Sequence, residues 1–244
     1  MADRHAQLRL LDDLPEPAGP PLPRLGVTGL VSYARCPRQC WWDVVERRPR
    51  PLRPAARIGS LVHGWIEREA AGQGSLLAAW EDPDPWIAEL KAAFLASPWA
   101  GRRPRAVERP FVLCAGATTV RGRVDAVYDL GGHRPAGLEI VDFKTGRRPA
   151  PDDAGAGLQL GLYALAAVDC WGREPEAVRT TEWYVREVAG VTRDWDGPAV
   201  NGVRDRLTGL LTGVAAGRNG PVPGSYCSRC PHVAACPEGQ ALAG

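Results

Sequence analysis

Apolar positions in the first hundred residues recur at the spacing of amphipathic helices. Thr28 can cap a first helix, and further helices are predicted over residues 58–71 and 85–95. Their apolar stripes comprise Leu61, Val62, Trp65 and Ile66 in the second helix, and Trp86, Ile87, Leu90 and Phe94 in the third. Because Gly59 and His63 lie four residues apart, they share one face of the second helix.

After an Arg- and Pro-rich break at residues 101–105, the pattern changes to the alternation and short apolar runs of strands. Strands are predicted over residues 107–114, 118–130 and 137–144, with a turn at residues 131–135. The remaining predicted elements are a helix over 155–168, a strand over 180–188 and a helix over 199–214. This order predicts an α/β fold with a mixed central β-sheet flanked by helices.

The ends of the chain differ from this core. Residues 1–24 are Pro-rich and are predicted to form a flexible tail. Residues 25–244 are predicted to form one domain, with a helical region at 28–100, a core at 105–216 and a cysteine-rich segment at 217–244. No apolar run approaches the roughly 20 residues of a membrane span, and the N-terminus lacks a signal-peptide core. We therefore expect a cytoplasmic protein with no membrane association.

Two polar side chains, Asp142 and Lys144, interrupt an apolar strand and project from the same face of it. The 244 residues include 28 Arg but only two Lys, so we infer that this position requires a compact ammonium group. A hairpin brings Asp125 back beside the pair. A turn centred on Arg134 would set Asp125 opposite Phe143, on the wrong face. We expect a register shifted by one residue, which puts Asp125 on the face of Asp142 and Lys144.

Two carboxylates and one amine around a common point suit Mg²⁺ or Mn²⁺. Such a cation polarises a phosphate oxygen and supplies hydroxide, while Lys144 orients the water and offsets developing charge. The pattern predicts metal-assisted phosphodiester hydrolysis. The alternative is a buried ion pair of Asp142 and Lys144 with Asp125 unrelated to it, and the residues alone do not decide between the two. Glu139, on the opposite face of the strand, is assigned a structural or surface role.

Three cysteines near the C-terminus, Cys227, Cys230 and Cys236, have the spacing of metal ligands. Seven cysteines in a reducing compartment favour metal binding over disulfides. A fourth ligand is needed, and the candidates are Cys36, Cys40 and His232. Cys114 and Cys170 lie in apolar contexts and are predicted to be buried thiols.

Four segments occur in an order that resembles a known family: residues 59–63, 122–125, 142–144 and 159–163. They resemble the successive motifs of RecB-type nucleases in the PD-(D/E)xK superfamily, from about residue 28 to the C-terminus. The resemblance implies a restriction-endonuclease-like core around a Mg²⁺ or Mn²⁺ ion. Val124 stands where the superfamily usually has Pro.

The resemblance also assigns roles to individual residues. It implies that the metal ligands are His63, Asp125, Asp142 and the backbone carbonyl of Phe143. Lys144 then corresponds to the catalytic amine. Gln159 and Tyr163, four residues apart on one helix face, are implied to lie over the active site, where they touch DNA or Lys144.

Some RecB-type nucleases hold a [4Fe–4S] cluster with one cysteine from an N-terminal Cys-Pro-Arg segment and three from a C-terminal set. Residues 36–38 resemble that segment, so the resemblance assigns Cys36, Cys227, Cys230 and Cys236 to an iron–sulfur clamp. The iron–sulfur form resembles the CRISPR adaptation exonuclease most. That implies an exonuclease acting on single-stranded DNA ends, with the CRISPR integrase complex as a partner.

Two other functions remain open at this point. The chain could be a stand-alone RecB-like repair nuclease, or a non-catalytic iron–sulfur or zinc module that binds nucleic acid. Trp41, Trp42 and Trp65 lie among arginines, a combination that can stack bases and follow a phosphate backbone, but for any one of them a core position is favoured.

Overall fold

The structure is a computed structural model that describes residues 25–50, 54–72, 84–115, 118–131, 137–149, 153 and 155–243. The predicted tail at residues 1–24 and most of the predicted turn at 131–135 lie outside these ranges. The helices are α1 (Val27–Arg35), α2 (Pro37–Val44), α3 (Pro54–Ala70), α4 (Pro85–Leu95), α5 (Leu158–Asp169), α6 (Gly197–Ala215) and α7 (Pro237–Ala243). No helix within the described ranges is long and apolar enough to span a membrane.

Six strands form one mixed sheet in the described part of the chain. They are β1 (Leu25–Gly26), β2 (Ala106–Ala115), β3 (Thr118–Leu130), β4 (Gly137–Lys144), β5 (Val178–Tyr184) and β6 (Ala189–Asp194). β3 pairs antiparallel with β2 and β4 and parallel with β1, whereas β4 and β5 run parallel and β6 returns antiparallel to β5. The predicted α/β fold with a mixed sheet is confirmed.

Helices cover both faces of the sheet. On one face, α1, α5 and α6 pack in one apolar cluster with Ile140 of β4. On the other face, α3 and α4 pack with Val141 and Phe143. β4 is therefore covered on both sides, which is why its sequence is a nearly continuous apolar run. Asp142 and Lys144 have the parity of Ile140, so both side chains point toward the α5 layer.

Gly122 of β3 allows α1 to pack closely against the sheet. A Cβ atom at this position would lie 2.2 Å from Cζ of Phe111 and 2.7 Å from Cγ2 of Val27. Both distances are shorter than any real van der Waals contact, so a larger residue would push the start of α1 away from β3.

The region after β5 differs from the prediction of one strand over residues 180–188. The strand ends at Tyr184, a 3₁₀ turn follows at Val185–Glu187, and β6 then pairs back on β5. Val188 makes this reversal possible with a φ of 48°, in the left-handed region that a β-branched residue rarely adopts. No glycine or Asn-Gly pair marks the turn, so the hairpin was missed.

Some residues that were predicted to face inward are exposed. Trp86 is 51% exposed because it lies in the first turn of α4 and faces outward, where Arg186 stacks on its ring at 4.3 Å. Cys114 is exposed because Phe111 and Leu113 occupy the inward positions around it on β2. Cys170 is also exposed, since it caps the C-terminal end of α5. Leu61 in the predicted stripe of α3 is likewise exposed.

Candidate active site

The register of β3 and β4 brings two carboxylates together. Ala126 pairs with Val141, so the next residues along the two strands, Asp125 and Asp142, stand across from each other. The backbone N–H of Phe143 donates a hydrogen bond of 2.8 Å to Oδ2 of Asp125. The predicted one-residue shift of the register is therefore confirmed.

Asp142 is the centre of a hydrogen-bonded network between β4 and α5. Nζ of Lys144 lies 2.5 Å from Oδ2 of Asp142 and donates to Oε1 of Gln159 at 2.7 Å. Nε2 of Gln159 donates to Oδ1 of Asp142 at 2.9 Å, and the hydroxyl of Tyr163 donates to the same oxygen at 3.1 Å. The carboxylate of Asp142 is buried, so these contacts compensate for the lost hydration of its charge.

His63 reaches the same site from α3. Its Nδ1 atom lies 3.5 Å from Oδ2 of Asp125. Gly59, one helical turn earlier, faces Thr145 in the turn after β4. A Cβ atom at Gly59 would lie 2.9 Å from Oγ1 of Thr145, so glycine allows α3 to approach the end of β4 closely enough for His63 to reach Asp125.

Burial and neighbouring charges shift the protonation of these groups. Burial, together with the nearby charge of Asp142, raises the pKa of Asp125 to about 7. Burial lowers the pKa of His63, which favours a neutral imidazole with a free lone pair. Burial alone would lower the pKa of Lys144. The attraction of the nearby Asp142 carboxylate has a larger effect, so the pKa of Lys144 is raised. Burial raises the pKa of Tyr163 well above its usual value, so its hydroxyl stays a donor.

These side chains open onto a cavity of about 550 Å³. The polar and charged residues that line it are Thr28, His63, Arg121, Arg123, Asp125, Asp142, Lys144, Thr145, Gln159 and Tyr163. The donor set of carboxylate, carbonyl and imidazole atoms suits a hard divalent cation. Within the described residues, no three or more His, Cys, Asp or Glu side chains stand together in a metal-holding arrangement.

Glu108 is a neighbour of the site that sequence reasoning missed. Val107 pairs with Ala126 across β2 and β3, so Glu108 stands across from Asp125. Its φ is 51°, and its carboxylate pairs with Arg123. The proximity of Glu108 to Asp125 follows only from the pairing of β2 with β3, because nothing in the local sequence distinguishes Glu108 from an ordinary strand residue. Glu139 lies on the opposite face, as predicted, and accepts a hydrogen bond from Thr181.

The cysteines fall into two groups. Cys36, Cys227, Cys230 and Cys236 line one cavity between the start of α2 and the C-terminal segment. The other candidate ligands do not line it: the thiol of Cys40 is buried and faces the carbonyl of Gly29, and Nε2 of His232 lies 2.7 Å from Oδ1 of Asp43. All seven cysteines are free thiols.

The tryptophans that could stack bases pack mostly within the protein. Trp42 is buried edge-on against His232, with Arg48 over its ring. Trp65 packs edge-on against Phe94. For these two the core interpretation describes the contacts better than an open stacking surface.

A known protein family matches nearly the same part of the chain as the motifs that carry the sequence resemblance. Residues 24–237 match the family model described as the PD-(D/E)XK nuclease superfamily. The chain belongs to the PD-(D/E)XK nuclease superfamily. Membership makes it a nuclease, which hydrolyses phosphodiester bonds of nucleic acid, and enzymes of this superfamily typically use a divalent metal ion.

The carboxylates and amine of the site follow the pattern in the superfamily's name. That Asp125 is the first acidic position of the PD-(D/E)XK signature, and Asp142 and Lys144 its acidic-x-Lys element, stays a prediction from the sequence. A solved structure described as "Crystal structure of SSO0001" matches at 15% identity and a TM-score of 0.46, over 96% of this chain and 94% of that one. No curated protein matches the chain.

Proposed function

We propose that this protein is a Mg²⁺- or Mn²⁺-dependent deoxyribonuclease that removes nucleotides from single-stranded DNA ends. The observation that carries the proposal is the register of β3 and β4. It holds Asp125 across from Asp142, and Lys144 lies 2.5 Å from the second carboxylate. A buried ion pair alone would need only Asp142 and Lys144, whereas Asp125 and His63 add two further side chains of metal-ligand type to the lining of the same cavity.

The residues that we propose as metal ligands are His63, Asp125, Asp142 and the backbone carbonyl of Phe143. A neutral imidazole and oxygen donors are ligands that Mn²⁺ accepts readily. A bound cation supplies Lewis acidity toward a phosphate oxygen and lowers the pKa of a coordinated water. The raised pKa of Asp125 means that a cation competes with a proton for this carboxylate, so binding should strengthen as the pH rises.

Lys144 provides the second part of the proposed chemistry. Its ammonium group can hold the attacking water and offset the negative charge that develops on the phosphate. Gln159 accepts a hydrogen bond from this amine, and the hydroxyl of Tyr163 donates a hydrogen bond to Oδ1 of Asp142. These contacts fix the reacting groups before the substrate arrives, which lowers the reorganisation that the reaction requires.

Substitution of the two lysines tests the catalytic proposal. Lys144→Ala should reduce degradation of a labelled single-stranded oligonucleotide with Mn²⁺ by about 100- to 1,000-fold. Lys91→Ala, on α4 and outside the lining of the catalytic cavity, removes the only other lysine and should leave the rate unchanged. Equal degradation by the parent and Lys144→Ala, or none by the parent, would overturn the proposal. An oligonucleotide blocked at each end in turn separates exonuclease from endonuclease activity.

For the cysteines, we propose a [4Fe–4S] cluster bound by Cys36, Cys227, Cys230 and Cys236. The support is that these four residues line one cavity, whereas Cys40 and His232 do not line it. Four thiolates are a ligand set for such a cluster and also for zinc. A cluster held in this way would join the start of α2 to the C-terminal segment.

Metal analysis of the protein purified without oxygen tests this assignment. Near four irons and four sulfides per chain, with absorbance around ~400 nm, are expected for the cluster. Cys36→Ser should lose the colour, whereas Cys40→Ser and Cys114→Ser should retain it. Stoichiometric zinc without iron would overturn the cluster, and loss of colour in Cys40→Ser would overturn the choice of Cys36.

The sequence resemblance supports a place for this nuclease in CRISPR adaptation, where it would trim spacer precursors together with the integrase complex. Copurification of a tagged chain with integrase subunits from its native host tests this role. Activity on DNA ends without any such association would favour a stand-alone repair nuclease.

A further inference from the structure

A second cavity, of about 330 Å³, adjoins the proposed catalytic site. Lys144, Gly146 and Gln159 line both cavities, so the two are continuous around the amine. His63, Asp125 and Asp142 line only the first. The second cavity therefore begins where the proposed catalytic groups end, and nothing in the proposed chemistry uses it.

Positive charge dominates the lining of this second cavity. Five cationic side chains line it, namely Arg35, Lys144, Arg147, Arg148 and Arg229. Of the two acidic residues of the lining, Asp153 forms an ion pair with Arg35 at 2.7 Å, whereas Glu182 accepts a hydrogen bond from the neutral Tyr184 at 3.0 Å and keeps its charge. The five cations therefore outnumber the carboxylates of the lining, although Lys144 and Arg148 also have acidic partners outside it, Asp142 and Glu187.

Two of the five cations, Arg147 and Arg148, are exposed and follow β4, three and four positions after Lys144. Arg148 lies over the ring of Tyr184 and pairs with Glu187 at 2.8 Å, which fixes its guanidinium. Arg147 has no ion pair with any residue that the structure describes. A guanidinium fork suits a phosphate group because it can donate two parallel hydrogen bonds.

Several separate segments wall the cavity. They include the turn after β4, the α1 residues Val31 and Arg35, the segment 155–157 before α5, the β5 residues Glu182 and Tyr184, and the 3₁₀ turn Ser225–Arg229. A pocket of this volume, enclosed on several sides, has room for part of one strand. A double helix, whose major groove alone is about 12 Å wide, does not fit it.

We propose that this second cavity is a phosphate subsite that binds the single-stranded segment adjoining the scissile bond, chiefly through Arg147 and Arg148. The proposal rests on the proposed nuclease function and deepens it, because it names a strand that continues beyond the scissile diester, rather than a single diester, as the substrate. The arginines bind the strand, and Lys144 lines both the binding cavity and the catalytic cavity. Arg229 contributes a further positive charge from the C-terminal segment.

Binding of a fluorescent single-stranded oligonucleotide, measured by anisotropy in chelator, tests the subsite without any need for cleavage. Arg147→Glu and the double variant R147A/R148A should bind more weakly than the parent. The slope of log K against log salt should fall by about 0.7 for each phosphate that the variant no longer neutralises. Arg103→Ala removes an exposed arginine that lines neither cavity and should match the parent. A blunt hairpin duplex should show no difference among the variants.

Hydrolysis of two substrates separates this proposal from the nuclease proposal. A p-nitrophenyl ester of thymidine 5′-phosphate needs only the catalytic cavity, so Arg147→Glu should raise KM for the oligonucleotide by a larger factor than KM for the ester. If the parent cleaves the oligonucleotide and Arg147→Glu binds and cleaves it equally well, the subsite is wrong and the nuclease stands. If the parent binds no oligonucleotide in chelator, the subsite is also wrong. If the parent binds but hydrolyses neither substrate, the nuclease proposal fails while the binding result still decides the subsite.

Discussion

The backbone N–H of Phe143 donates a 2.8 Å hydrogen bond to the carboxylate of Asp125. The regular pairing of β3 with β4 ends at Ala126 and Val141. Beyond that point the side chain of Asp125, rather than the backbone of β3, accepts the hydrogen bond from β4. The bond fixes the half-buried Asp125 beside the buried Asp142. Two neighbouring carboxylates without a cation repel each other, and this repulsion adds to burial in raising the pKa of Asp125 to about 7.

Asp125 should make the metal-free protein less stable as the pH rises. Its pKa is about 7 in the folded chain and about 3.9 when unfolded, so between these values the folded state binds more protons. Stability from this group is full below the lower pKa and is lost as the pH rises through the upper one. Asp125→Asn should therefore raise the free energy of unfolding near pH 8 by about 1–3 kcal/mol, with a smaller change near pH 5.

Denaturant unfolding in chelator at the two pH values measures this effect. Asp129→Asn is the matched control, because Asp129 lies on the same strand and is 64% exposed at its side chain. A stability gain in Asp129→Asn of the same size, or a loss in Asp125→Asn near pH 8, would contradict the assigned cause.

Gly59 should control how closely His63 approaches the carboxylates. In Gly59→Ala the new methyl group would lie 2.9 Å from Oγ1 of Thr145, so α3 or the turn after β4 must move. We expect a lower affinity for Mn²⁺, and activity that recovers as the metal concentration is raised. Gly64→Ala on the same helix meets only the end of the Arg68 side chain, at 3.5 Å. It should keep parental metal affinity and gain about 0.5–1 kcal/mol of stability.

The sequence allowed the centre of the fold to be predicted because its signals are local. β4 is an apolar run covered on both sides, and its two polar residues stand out against it. The requirement that Asp125 share their face then selected one register of the hairpin over another. Gln159 and Tyr163 were implied by the resemblance to RecB-type nucleases, and their separation of four residues places both on one helix face.

Other features depend on contacts between distant segments, which no local pattern encodes. The hairpin of β5 and β6 turns at Val188, whose left-handed backbone is held by its surroundings rather than by its own preference. Trp86 is apolar, yet the cation of Arg186 covers it at the surface. Glu108 enters the neighbourhood of Asp125 only through the pairing of β2 with β3. Hydrophobicity at a position therefore predicted burial poorly at element ends.

Two buried tyrosines should respond in opposite ways to loss of the hydroxyl. Tyr163→Phe leaves Oδ1 of Asp142 without one of its donors and should cost about 1–3 kcal/mol of stability as well as activity. The hydroxyl of Tyr128 is buried without a hydrogen-bond partner among the described residues. Tyr128→Phe should therefore be neutral or stabilising and fully active. Thermal unfolding and a nuclease assay of both variants check this; a large loss of stability in Tyr128→Phe would reveal a partner for its hydroxyl.

Loss of the proposed cluster should damage strand binding more than bond cleavage. Tyr226 and Arg229 lie in the 3₁₀ turn that also carries the proposed ligand Cys227, and both line the proposed phosphate subsite. The hydroxyl of Tyr226 also donates to the carbonyl of Arg35 at 2.8 Å. A cluster that fixes this turn would thus fix one wall of the subsite. The groups proposed for cleavage lie on α3, β3, β4 and α5, none of which contributes a cysteine ligand.

Cys36→Ser is the variant that tests whether the cluster affects strand binding more than cleavage, because it removes a proposed ligand that lies outside the C-terminal segment. It should lose iron, bind the single-stranded oligonucleotide more weakly in chelator, and still hydrolyse the mononucleotide ester at a rate near that of the parent. Cys170→Ser, which alters an exposed thiol outside the cavity, should change neither binding nor hydrolysis. Equal loss of ester hydrolysis and strand binding in a folded Cys36→Ser protein would mean that the cysteine segment supports the whole domain, rather than one wall of the subsite.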